Sequence, residues 1–192
     1  MKRSLGAKTL LYPTPVWVVG SFDKNGKPNA MTIAWGGICC SKPPCVAVSI
    51  RSATYTYGNI VEKKAFTINI PSVAQAAKAD YFGMVSGRDH DKFASAGLTA
   101  IKSDLVDAPY IKEFPLVLEC RLLQTVEIGL HTQFIGEIMD VKADESILDS
   151  KGGPDIGKLM PFIFAPESRK YYRTGDYLGD AFSIGKEIRK PE

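Results

Sequence analysis

The chain has 192 residues, 45% hydrophobic and 23% charged, with a formal net charge of +3 at pH 7. These are ordinary globular proportions, and at this length folding can hide roughly 70% of the unfolded surface. The basic residues are scattered, which excludes the clustered basic face of a nucleic-acid binder. No apolar run approaches the roughly 20 residues of a membrane span, and the start M-K-R is not followed by the apolar core of an export signal. The expectation is a cytoplasmic single domain over residues 1–192, with a C-terminal extension from about residue 150. The four cysteines, Cys39, Cys40, Cys45 and Cys120, then read as free thiols. The neighbours Cys39 and Cys40 would make a strained disulfide.

The prolines of L-L-Y-P-T-P set an extended start. Residues 15–21, P-V-W-V-V-G-S, are β-branched and aromatic and predict a buried strand. D-K-N-G over 23–26 is a strong hairpin signal, so 27–35 predicts the return strand. Alternation places Asn29, Met31 and Ile33 on one face, and Ala30, Thr32 and Ala34 on the other. Residues 36–44 predict a long loop, and 45–51 a third strand. A short helix follows within 52–64, capped by Ser52 or Thr54 and packing Tyr57, Ile60 and Val61.

A-F-T-I-N-I over 65–70 predicts a strand closed by Pro71. Residues 72–81 predict a helix with Ser72 as N-cap. Residues 82–97 predict a glycine-bearing loop and a short helix over 89–94. Residues 98–103 predict a short strand, and 107–114 a connector. Residues 116–128 form a long strand, turned by Gly129–Thr132 into its partner over 133–143. A loop over 150–158, late strands over 161–164 and 170–173, and a charged tail complete the chain. About six or seven strands with few long helices depart from the usual third of helix. Hairpins near both ends predict a mainly β, antiparallel closed or split barrel. A ligand would then sit on the rim, because a small barrel has a packed interior.

The segments N-A-M-T (29–32), S-K-P-P, V-A-V-S-I-R (46–51), T-Y-G-N-I and F-T-I-N-I-P, followed by G-L-H-T-Q-F-I-G-E-I (129–138), resemble the flavin reductase-like family. Within it, A-W-G-G-I-C-C and Y-F-G-M-V-S-G-R are similar to the flavoredoxin branch. The resemblance implies an antiparallel Greek-key split β-barrel, FMN as the held cofactor, and a homodimer. It also implies redox chemistry with NAD(P)H or a redox partner protein as electron donor. The fold alone does not choose between flavin reduction and electron transfer between proteins. A non-catalytic module of the same barrel, holding flavin or haem or sensing redox through Cys39 and Cys40, is the alternative.

On this resemblance Asn29, Ala30, Met31 and Thr32 form the flavin strand, with Thr32 offering a hydroxyl. Trp35, Cys39, Cys40 and Ser41 lie near the ring. Arg51, with Thr54 and Thr56 after it, supplies the cation, hydroxyls and helix N–H groups that a phosphate dianion needs; Ser49, Ile50 and Tyr55 adjoin them. Ser86, Gly87 and Lys92 complete the site, with Lys92 as a second cation. Arg88 and His90 read equally well as a solvated loop. His131 stands where the family places a histidine over the open flavin face, to meet the flavin or a nicotinamide. Leu130 before it replaces the common acid, and no catalytic residue is assigned. Metal sites favour Cys-x-x-Cys spacing, which is missing here, and Cys45 and Cys120 read as inert buried thiols. Trp17 reads as core. No G-x-G-x-x-G turn opens a helix, so any nicotinamide would stack directly on the flavin.

Overall fold

The computed structural model describes residues 1–188; residues 189–192 of the expected tail lie outside them. Strands β1 (Thr14–Pro15), β2 (Trp17–Phe22), β3 (Pro28–Ile33), β4 (Gly36–Ser41) and β5 (Pro44–Arg51) lead into helix α1 (Tyr55–Lys63). Then come β6 (Ala65–Ile70), α2 (Ala76–Met84), α3 (Lys92–Ala96), β7 (Ala100–Lys102), β8 (Pro109–Ile111), β9 (Leu116–Ile128) and β10 (His131–Ala143). Helix α4 (Ile156–Leu159) and strands β11 (Phe162–Ala165) and β12 (Lys170–Arg173) close the fold.

The main sheet has seven strands in the order β3-β2-β6-β9-β10-β5-β4. Its ladders are antiparallel. The sheet curls without closing, so its edges remain β3 and β4. This is the expected split barrel. The small sheet β1-β11-β12 lies outside the main one.

The D-K-N-G turn forms as expected. Gly26 takes φ +81°, and the Asp23 carboxylate accepts the N–H groups of Asn25 and Lys27, both at 2.8 Å. The alternating apolar positions then separate two cores. Val19, Ile33, Val46, Val48, Ile50, Phe66 and Phe134 fill the barrel. Val18, Ala30, Phe82, Phe93 and Phe114 pack on the other side, beneath α2 and α3. Removing one large buried side chain, such as Phe66, would cost about 3–5 kcal/mol.

Several local expectations are corrected. Residues 36–41 are not loop but edge strand β4, which pairs with β5 across the turn at Lys42-Pro43. Cys-Cys-Ser carries little strand propensity, and pairing with the apolar β5 decides the outcome. Gly36 is explained by packing: a Cβ there would lie 2.7 Å from the Trp17 ring. Thr54, not Ser52, caps α1, accepting the Tyr57 N–H at 3.3 Å. Ile60 is buried, but Val61 is exposed. Ser72 does cap, with Gln75 completing a capping box, but the first turn (Val73–Gln75) is 3-10 helix. Asp91 caps the short helix, which therefore starts at Lys92 rather than Asp89. The connector over 107–114 contains β8, and the loop over 150–158 runs into α4. Only Gly129 and Leu130 make the late turn; His131 and Thr132 belong to β10.

Candidate functional site

The N-terminus of α1 opens onto a cleft of about 280 Å³ between β3 and the 82–92 segment. Its walls include Asn29, Met31, Thr54, Tyr55, Thr56, Ser86, Gly87, Arg88 and Lys92. Two clusters far apart in the sequence thus meet in one place. The Thr54 hydroxyl donates to the Arg51 carbonyl at 2.9 Å while it caps the helix. The N–H groups of Tyr55 and Thr56 stand in the first turn, where no intrahelical acceptor exists. No acidic side chain lies in that turn, and among the described residues none lines the cleft. The positive end of the helix is therefore not neutralised from within.

Two cations border the cleft. The Arg88 guanidinium lies 5.8 Å from the Tyr55 ring centroid and donates to the Ala53 carbonyl at 3.1 Å. Lys92 is 4% exposed. Its ammonium donates to the Ala30 carbonyl on edge strand β3 at 2.7 Å, and to the Phe82 carbonyl in the last turn of α2 at 2.9 Å. Burial pushes its pKa down to about 8. Lys92 has no carboxylate partner among the described ion pairs. A buried cation satisfied only by carbonyl dipoles favours an anionic ligand beside it.

Asn29 supplies a second open valence. Its amide donates to the Thr56 hydroxyl at 2.9 Å and to Ser21 at 3.5 Å. In this amide orientation Oδ1 is buried without a partner, at a cost of about 1–3 kcal/mol. The backbone of Gly87 passes so close that a Cβ there would fall 2.1 Å from that oxygen. Tyr55 anchors the wall: its hydroxyl donates to Asp23 at 2.8 Å. Burial acts to raise the Asp23 pKa, but the N–H of Lys27, the Tyr55 hydroxyl and the N–H of Asn25 outweigh it and hold the carboxyl below its usual value.

The cleft continues past Gly83 and Met84 into a second of about 510 Å³, lined by Thr32–Trp35, Asp80, Phe164, Arg169 and Tyr171 among others. That one shares Thr9, Ala34, Trp35 and Pro166 with a third of about 710 Å³, which reaches Gly37, Cys39, Ser49 and Gln133. Together they form one trough. Trp35 is bonded to β5 by the Ser49 N–H, which donates to its carbonyl at 2.8 Å. The Trp35 ring lies nearly parallel to His131, with centroids 6.5 Å apart and planes inclined by 9°.

Not every expected residue reaches the trough. Ala30 is buried, and it is its carbonyl that matters, as the Lys92 acceptor. Ile50 is core. The Thr32 hydroxyl is already committed to the Ala79 carbonyl. Arg51 is exposed opposite His131 and absent from the α1 cleft, where Arg88 stands instead. The strand pleat explains this: Val46, Val48 and Ile50 face the core, so Arg51 faces out with Ser49. Cys40 and Ser41 are exposed near the β4–β5 turn, outside the trough walls, although Cys39 lines the third cleft. Gln133, cross-strand from Ser49 and two residues after His131, was legible by period-two alternation. Thr9, Gly83, Phe164 and Tyr171 carry no local signal of their role in the walls.

The chain belongs to the flavin reductase like domain family, which it matches over residues 9–171. More narrowly, it is similar to the flavoredoxin of Desulfovibrio vulgaris (Miyazaki F): 58% identical, TM-score 0.92, covering 96% of this chain and 100% of that one. It is also similar to the flavoredoxin from Methanosarcina acetivorans, at 34% identity and TM-score 0.92, covering 98% of this chain and 99% of that one. An uncharacterized protein of Archaeoglobus fulgidus is 34% identical over 146 residues, 76% of this chain and 80% of its own length.

Proposed function

We propose that the protein is an FMN-binding flavoprotein of the flavoredoxin type, active as an electron carrier or flavin reductase. The observation that carries the reading is the α1 cleft. It combines an uncompensated helix N-terminus, two cations and no acidic lining residue. That is the donor set a phosphate dianion requires. The resident residues fit the group in two further respects. The orphaned Asn29 oxygen awaits a donor, and the trough leading to Trp35 has room and apolar walls for a flat ring.

In this reading the first turn of α1 and Arg88 hold the phosphate. Asn29, Met31, Ser86, Gly87 and Lys92 border the middle of the ligand, and Trp35 and His131 border the ring end. Lys92 holds a positive charge against the ligand without a competing carboxylate. When bound, the flavin supplies one- and two-electron transfer, and the protein supplies position and field. NAD(P)H or a reduced partner protein serves as donor, and a homodimer, located in the cytoplasm, is the working form. Among the described residues no helix is long and apolar enough to cross a membrane.

The test is an absorption spectrum of the purified protein, followed by anaerobic titration with NADH, NADPH and a reduced ferredoxin. Flavin absorbance bleached by a nicotinamide identifies a reductase. Bleaching by ferredoxin alone identifies a carrier. A colourless protein that takes up no FMN overturns the proposal.

A further inference from the structure

We propose that Cys40 and Cys45 form a dithiol–disulfide couple on the β4–β5 hairpin, open to low-molecular-weight disulfides. The hairpin brings them together. Ser41 faces Pro44 across the turn, and Cys40 faces Cys45 directly. The register shift between Ile38 and Cys40 puts Cys39 in a bulge, so Cys40, and not its neighbour, stands opposite Cys45. The Ser49 N–H bond to the Trp35 carbonyl shows that the odd-numbered residues of β5 turn their backbone groups toward β4, so Cys45 faces Cys40 at a hydrogen-bonded position. Facing Cα atoms there are about 5.5 Å apart, inside the roughly 4.4–6.8 Å that a disulfide spans.

Their exposure divides the labour. Cys40 is exposed and lies on edge strand β4, where no further strand of the main sheet pairs among the described residues. Cys45 is 2% exposed, and burial pushes its thiol pKa up. Cys120, the other buried thiol, lies on β9, separated from β5 by β10. Cys40 is therefore the attacking group and Cys45 the resolving one.

The Cys40 thiolate attacks one sulfur of an exogenous disulfide, forming a mixed disulfide and releasing one thiol, which takes the proton Cys40 gave up. The Cys45 sulfur then attacks Cys40 Sγ, expelling the second thiol, which carries away the Cys45 proton. The protein loses two electrons and two protons, and the small disulfide becomes two thiols. The couple does not depend on the flavin reading. Cys40 does sit on the strand whose Gly36–Cys39 segment lines the third cleft, so its oxidation state bears on that wall.

The full-length protein is incubated anaerobically with excess oxidised glutathione. Remaining thiols are then alkylated in denaturant and weighed by mass spectrometry. Cys39→Ser, which removes the other exposed thiol, loses two alkylatable thiols without gaining glutathione; wild type loses the same pair, and dithiothreitol restores it. In the Cys39→Ser background, Cys40→Ser loses none. Cys45→Ala in that background, chosen because a small apolar side chain suits that buried site, stops with one glutathione on Cys40. Loss of a thiol pair when Cys40→Ser is added, loss of the effect in Cys39→Ser, or no loss in wild type would overturn the proposal.

Discussion

Discharging Lys92 separates flavin binding from folding, because the two respond to pH in opposite directions. The ligand-free ammonium titrates at about 8 against an ordinary 10.5. Between those values the unfolded chain holds more protons than the folded one, so the ligand-free protein gains stability as pH rises through that window. Binding an anion beside Lys92 favours the charged form. FMN affinity is therefore flat below pH about 8 and weakens by up to tenfold per unit above it.

Lys92→Met removes both dependences. A lost charge-assisted hydrogen bond of about 1.5–3 kcal/mol predicts FMN binding about 10- to 150-fold weaker at neutral pH. The variant also strands the Ala30 and Phe82 carbonyls, at about 1–3 kcal/mol each, so its melting temperature falls as well. The assay is quenching of flavin fluorescence from pH about 6.5 to 9.5, with circular dichroism at each point to confirm the fold. Parallel pH profiles for wild type and Lys92→Met would refute the assignment of the titration to Lys92.

Gly87→Ala drives a methyl to 2.1 Å from the Asn29 oxygen and 3.0 Å from the Tyr55 ring; overpacking of about 1–3 kcal/mol should displace the loop and weaken FMN at least tenfold in the same titration. Thr54→Ala loses the α1 cap, which costs about 1 kcal/mol and lowers the melting temperature by about 2–4 °C, with Thr54→Ser restoring it. Arg88→Ala should weaken FMN far more than riboflavin, whereas Arg51→Ala should leave both within about twofold, as fluorescence titration of each pair would establish.

Long, β-branched segments announced themselves in the sequence. β6 and β9 occupy the residues their apolar, β-branched runs indicate, because strand segments buried on both faces read as near-continuous apolar runs. β4 left no such record. Most of its side chains are exposed, and it exists by pairing with β5. The clusters 29–32 with 54–56 and 86–92 were singled out from the family's motifs and the helix-start residues, and the fold brings them to one cleft. Which cation borders that cleft was not legible. Arg51 adjoins the helix in sequence, but the pleat of β5 turns it outward. Arg88 is brought in by a long-range bond to the Ala53 carbonyl that no local pattern encodes. Cys45 is buried, as its apolar strand indicates; that it faces Cys40 was not legible, because the register passes through a bulge and a turn.

The affinity ratio of FMN to riboflavin for the flavin-stripped wild-type protein tests the proposed phosphate site at the N-terminus of α1. A cleft that pairs a dianion with helix N–H groups and Arg88 predicts FMN bound at least about 100-fold more tightly, from two or more charge-assisted contacts of about 1.5–3 kcal/mol each. Equal affinities would contradict it.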